Sequence, residues 1–276
     1  MQGNLRKMRT QPGPPVEYRL PVGEQEVALN LLLGKTVRLR FAGEIHCVAC
    51  GRKTKKSFNQ GYCYPCFQSL AQCDICIVKP ELCHYEQGTC REPTWGEAHC
   101  MQPHYVYIAN SSGLKIGITR GSQIPTRWMD QGAVQALPIF RVQSRYQAGL
   151  LEVMFKQHIA DRTNWQRMLK GEPELADLAA KRDDLLGLCQ AELHDQTRAA
   201  GEGALALLEE EDSRSFTYPV LEYPTKVKSR NFEKTPEIEG TLLGIKGQYL
   251  IFDTGVLNVR KFGGYAVRFE SPDSPA

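Results

Sequence analysis

Residues 104–118 read His104-Tyr105-Val106-Tyr107-Ile108-Ala109-Asn110-Ser111-Ser112-Gly113-Leu114-Lys115-Ile116-Gly117-Ile118. Two short runs rich in β-branched and aromatic residues flank Asn110-Ser111-Ser112-Gly113, the pattern of a β-hairpin. A three-residue turn at Ser111-Ser112-Gly113 pairs Tyr107 with Gly117 and puts Lys115 on the Tyr107 face. A four-residue turn would place them on opposite faces. Pro125 suits the first turn of a following helix that carries Arg127 and Trp128. A second helix, from about Gln147 to Ala160, aligns Ala148, Glu152, Phe155 and Ile159 on one face. A carboxylate on a half-apolar face needs a metal or a cation beside it. For Glu152 the alternatives are a bound ion and a structural ion pair with Arg127 or Arg145. Tyr105 and Trp128 read as core. Residues 104–170 thus form one α/β unit.

Upstream lie nine of the ten cysteines, between residues 47 and 100. The first four read Cys47-x2-Cys50-x12-Cys63-x2-Cys66, two knuckles whose four thiolates suit one tetrahedral zinc. Such thiols call for a reducing compartment. Next come Cys73-x2-Cys76-x6-Cys83-His84-x5-Cys90, then His99-Cys100 and His104. Five cysteines and three histidines exceed the four ligands a zinc needs. We take Cys73, Cys76, Cys83 and Cys90 as the second set, with zinc, an iron–sulfur cluster and unliganded core thiols all open. Cys189 sits on an apolar helical face and reads as packing.

The 276 residues, 42% apolar and 24% charged, suit a globular protein of two or three small domains. Residues 1–45 form an N-terminal β segment, 46–103 the cysteine-rich region, 171–212 a helical and acidic connector, and 213–276 a small antiparallel β domain with glycine turns. The fold class is therefore α+β and multidomain. Basic residues in Met1–Pro15 have no apolar run behind them, and no stretch is long and apolar enough to span a bilayer. A cytoplasmic protein without a membrane partner is expected.

A net charge of +3 hides two basic segments. Residues 35–70 hold seven Lys or Arg against Glu44 alone, and residues 101–170 hold nine against three acids. Compensating acid gathers at Glu209–Asp212. Arg52, Lys53, Lys55 and Lys56 follow the first knuckle, with Phe58, Tyr62, Tyr64 and Phe67 interleaved. Cations pair with phosphates and aromatic rings stack on bases, so a nucleic-acid platform is expected. The plain alternatives are a solvated charged face and aromatics that pack under the ribbon.

The α/β unit resembles the GIY-YIG nuclease superfamily. The first motif aligns on Tyr105-Val106-Tyr107 and the second on Lys115-Ile116-Gly117. Arg127 falls at the motif arginine, Glu152 at the metal-binding glutamate and Asn164 at the downstream asparagine. The resemblance spans about 65 residues, and the whole chain is also similar to an uncharacterised bacterial family. Lys115 stands where most members have the second-motif tyrosine; a Lys-Ile-Gly branch exists. The resemblance implies a GIY-YIG-like α/β domain and a metal-dependent phosphodiesterase acting on DNA or RNA. In that scheme Tyr107 helps activate water, Arg127 clamps the phosphate, Glu152 binds magnesium, and Lys115 adds charge; Arg120 joins Arg52, Lys53, Lys55 and Lys56 as a candidate nucleic-acid contact. Asn164 could equally cap a helix. The alternatives are a zinc-bearing nucleic-acid-binding protein that kept the fold without cleavage, and an iron–sulfur or redox protein.

Overall fold

The computed structural model describes residues 1–201 and 203–271. Glu202, in the acidic connector, and residues 272–276, at the end of the last β segment, lie outside the described residues. The chain opens with short strands β1 (Gln2–Asn4), β2 (Arg9–Gln11), β3 (Glu17–Val22) and β4 (Gln25–Ala28), followed by the long β5 (Thr36–His46). The cysteine region holds β6 (Lys53–Thr54), α1 (Tyr64–Ser69) and α2 (Pro93–His99). Then come β7 (His104–Asn110), β8 (Leu114–Arg120), α3 (Thr126–Asp130), β9 (Gln135–Val142), α4 (Arg145–Phe155) and α5 (Trp165–Met168). Helices α6 (Leu178–Leu188) and α7 (Gln190–Ala200) lead to β10 (Leu205–Leu207) and β11 (Arg214–Ser215). The chain closes with β12 (Glu237–Lys246), β13 (Tyr249–Phe252), β14 (Gly255–Asn258) and β15 (Tyr265–Glu270).

These strands form three antiparallel sheets in a mixed α+β fold. The largest runs β1-β15-β5-β12-β13-β14, with β6 on β5. It joins β1 and β5 from the start of the chain to β12–β15 from its end, while β2, β3 and β4 form a separate three-stranded sheet and β11 pairs with β9. Alternation in β5 explains this: Val37 and Leu39 are buried while Arg38 points outward. Arg38 there meets Glu239 at 2.9 Å, Glu270 at 3.6 Å and Glu237 at 3.8 Å. That cation is matched by acids from β12 and β15 and adds nothing to a phosphate surface. The acidic stretch does not continue the helix. Gly201 ends α7, β10 pairs with β9, and Glu209–Asp212 is exposed outside any helix or strand.

The second sheet, ordered β10-β9-β7-β8, carries the hairpin. Tyr107 pairs with Gly117 and Ala109 with Lys115, the register expected from the three-residue turn. Its two faces have different partners. Val106, Ile108, Ile116 and Ile118 share an apolar core with Ala148, Leu151 and Phe155 of α4. Tyr107 and Ala109 join Trp128, Met129 and the large sheet in another. Helix α4 starts earlier than its apolar pattern because Ser144 and Gln147 form a reciprocal capping box. It stops at Phe155, and Ala160 instead accepts a hydrogen bond from the Ile116 amide at the edge of β8. No helix is long and apolar enough to cross a membrane among the described residues.

Candidate functional site

The ribbon is built by local turns. The Gly51 amide bonds the Cys47 carbonyl at 2.9 Å, and Gly51 takes φ +73°, a conformation costly for a side chain. Cys63 precedes the first turn of α1, where a proline sits, and Cys66 lies one turn into that helix. All four thiols lie within 4.8 Å of one another, and Cys50 Sγ is 3.8 Å from Cys63 Sγ. A tetrahedral zinc with Zn–S bonds of about 2.3 Å needs sulfurs roughly 3.8 Å apart, so the donor set fits. Electrostatics point the same way. Burial resists ionisation of Cys47, but the amides of Cys50, Cys63 and Ala49 bring its thiol down to about 6. Burial and the crowding thiols push Cys66 up to about 12. Four thiolates this close require a cation among them.

Beside the ribbon, a cleft of about 710 Å³ runs along β8, the edge strand of the second sheet. Tyr107, Lys115, Arg120, Arg127 and Glu152 all line it. The Tyr107 hydroxyl donates to Gln131 Oε1 at 3.1 Å, and Lys115 Nζ donates to the same oxygen at 2.6 Å. Gln131 follows α3, which carries Arg127. One amide therefore ties both hairpin side chains to the element holding the arginine. Burial raises the Tyr107 pKa, and burial with the nearby Arg127 lowers Lys115 to about 8. Gly117 lies under the Tyr107 ring: a Cβ there would be 2.8 Å from Cζ and from the hydroxyl. Gly117→Ala should therefore cost about 1–3 kcal/mol and push Tyr107 off Gln131. Urea denaturation with an unchanged midpoint would contradict that packing.

Glu152 reaches the cleft from α4. Burial raises its pKa, against attraction from Arg145. Yet among the described residues none lies within hydrogen-bond or ion-pair distance of its carboxylate. Arg145 Nη2 donates to the Ile77 carbonyl at 2.6 Å, while its buried Nε has no hydrogen-bond partner among the described residues. Seven Lys or Arg side chains line the cleft against three carboxylates. One of the three, Asp130, is already held by Lys7 at 2.8 Å and Gln248 at 2.9 Å.

Other candidates lie elsewhere. Asn164 does not line the cleft; its side chain accepts from the Arg167 amide at 3.0 Å and caps α5. Arg52, Lys53, Lys55 and Lys56 are exposed outside the cleft, and Lys53 pairs with Glu44. Phe58 packs against Tyr64 and Phe67, with centroids 5.3 and 5.7 Å apart, and Tyr64 is 51% exposed. The ribbon meets the cleft through Asn59, Gln60 and Tyr62 instead. Of the second cysteine set, Cys76, Cys83 and Cys90 line one small cavity and Cys73 does not. Gln131, Asp161, Arg6 and Arg260 are cleft residues that sequence reasoning missed. Arg6 and Arg260 arrive from opposite ends of the chain, and no local pattern marks them.

A four-cysteine centre beside a basic cleft, in an α+β frame of three antiparallel sheets, defines the architecture. The chain belongs to the DUF2797 family, proteins of unknown function, whose sequence pattern matches residues 34–267. Neither the curated proteins nor the solved structures supply a match.

Proposed function

We propose that the cleft along β8 binds nucleic acid and cleaves it as a metal-dependent phosphodiesterase of GIY-YIG type. The observation that carries this reading is Glu152, a half-buried carboxylate without an ion pair among the described residues, facing a cleft whose charged side chains are mainly cations. An acid in that position is costly unless a ligand completes it. The hairpin register supports the likeness, with Tyr107 over Gly117 and Lys115 on the same face. A magnesium ion held by Glu152, water and a phosphate oxygen would neutralise charge developing at the scissile phosphate. Arg127 and Arg120 would hold the phosphate, and the ribbon edge at Asn59–Tyr62 would bound the path of the strand. Exposed Arg52, Lys55 and Lys56 would touch only flanking phosphates, since they stand outside the cleft.

Of the two hairpin groups, Lys115 is the better acceptor for a proton from water. Burial holds its pKa at about 8, so its neutral fraction grows through the physiological range, while the raised Tyr107 keeps its proton. The test is incubation with Mg²⁺ or Mn²⁺ on duplex DNA, single-stranded DNA and structured RNA. Cleavage of at least one is expected, at a rate that climbs with pH until about 8 and then levels. Inertness on all three with both metals removes the cleavage reading. It leaves a nucleic-acid-binding protein that kept the fold, a reading favoured by Lys115 in place of a tyrosine.

A further inference from the structure

We infer that Cys76, Cys83, Cys90 and Cys100 form a second, tetrathiolate metal centre, and that Cys73 is not one of its ligands. These four cysteines line one small cavity of about 20 Å³; no three of their sulfurs lie within 4.8 Å of one another, so an ion there would draw them together. They come from four separate turns. Cys76 lies in the 3₁₀ turn Ile75–Ile77, Cys83 ends the turn Pro80–Leu82, Cys90 follows Gly88 at φ +71°, and Cys100 ends α2. Cys73 does not line the cavity; it faces the Asn59 side chain of the ribbon hairpin. Local spacing favours Cys73, as half of a Cys-x2-Cys, whereas the fold brings in Cys100 from ten residues past Cys90.

The segment that holds these thiols has little else to hold it. From Ile75 to Cys100 only Pro80, Gly96 and Cys100 are buried. Ile75, Val78 and Leu82 are 56%, 74% and 50% exposed. No strand crosses it, and its cysteines are free. A loop this poor in apolar burial needs a staple, and a metal gathering the four cysteines around this cavity would supply one. Gly96 fits the same scheme: a Cβ there would come within 3.0 Å of the Tyr85 ring and 3.4 Å of Cys90 Sγ.

Of the competing donors, Asp74, His84 and His99 are engaged, and His104 does not line the cavity. Asp74, Cys76 and His84 approach one another within 4.8 Å. Asp74, however, takes Arg91 Nε at 2.6 Å and the Cys76 amide at 3.2 Å. His84 Nδ1 is bonded to Thr89 Oγ1 at 2.8 Å, and its Nε2 lies 3.6 Å from Asp74. His99 Nδ1 bonds the Trp95 carbonyl at 2.9 Å, and its ring stacks on Trp95. Asp74 and His84 thus orient the loop around Cys76 from outside the thiol set. Four thiolates suit a single zinc or an iron–sulfur cluster.

The centre has a use at the cleft. The Ile77 carbonyl holds the Arg145 guanidinium, and the Cys100 carbonyl accepts the Arg145 amide at 2.8 Å. Pro80 packs so closely on Gly149 that a Cβ there would be 2.5 Å from Pro80 Cβ. The centre therefore pins the start of α4, which presents Glu152.

The experiment is metal analysis of full-length protein purified under reducing, oxygen-free conditions, with Cys100→Ser, Cys73→Ser and Cys63→Ser alongside. Wild type is expected to carry two zinc per chain, or one zinc plus iron and sulfide with visible absorption; either supports the centre, and the colour tells the occupant. Cys100→Ser should lose the second metal and keep the ribbon zinc, while Cys73→Ser keeps both. A single metal equivalent in wild type overturns the inference, as does loss with Cys73→Ser but retention with Cys100→Ser. If Cys100→Ser is insoluble, X-ray absorption of wild type decides. An all-sulfur first shell, with no nitrogen or light oxygen donors, supports the four thiolates. Oxygen or nitrogen donors at the second metal overturn them.

Discussion

Glu152→Gln is expected to abolish metal-dependent cleavage while leaving the fold at least as stable as wild type. The substitution keeps the volume and removes the charge that would hold the ion. The drop should be at least about a hundredfold, the scale seen when a preorganised electrostatic contact to the transition state is lost. The stability outcome separates a functional carboxylate from a structural one. Burial raises the Glu152 pKa, so carrying the charge costs the folded chain more than the unfolded one, and no ion pair among the described residues is lost on neutralisation. Thermal melting should therefore stay level or rise, as at sites kept for activity at some cost in stability. A structural ion pair with Arg145 or Arg127 would predict the reverse, a clear loss of stability. Arg127→Ala, assayed alongside, should slow turnover tenfold or more, equivalent to about 1.4 kcal/mol per decade.

Cys63→Ser should release the ribbon zinc and unfold the ribbon. A structural zinc contributes roughly 10–16 kcal/mol of binding free energy in peptides of this kind, and little apolar burial in the ribbon stands behind it. Only Cys47, Gly61 and Cys63 are buried between residues 47 and 70. Limited proteolysis should then cut within residues 47–66, while the large sheet, held by Leu39, Ile238 and Phe269, keeps its cooperative melt. The cleft should lose the wall formed by Asn59, Gln60 and Tyr62, and nucleic-acid affinity should fall with it. Full zinc retention with an unchanged digest would refute the four-sulfur assignment.

What could be read from sequence was what neighbours in the chain decide. The hairpin register follows from one turn length, and the ribbon from two Cys-x2-Cys knuckles. The capping box at Ser144 and Gln147 was legible in principle and shifts the start of α4. What tertiary contacts decide was not legible. Charge counting placed Arg38 in a basic segment, and three glutamates from β12 and β15 neutralise it across the sheet. Arg6 and Arg260 reach the cleft only because β1 and β15 are neighbours. Gln131 carries no motif, yet it joins Tyr107 to Lys115. Asn164 sits at a motif spacing but spends its side chain on a helix cap.

The central claim is that Glu152 holds a divalent cation in a phosphate-binding cleft. The most direct measurement is anomalous diffraction from crystals soaked in Mn²⁺ with a short non-cleavable oligonucleotide. We expect a manganese peak about 2.1 Å from a Glu152 carboxylate oxygen, with a phosphate on Arg127, and no such peak in Glu152→Gln. A Glu152 carboxylate that carries no metal and closes instead onto Arg145 or Arg127, with the oligonucleotide bound elsewhere, would contradict the account.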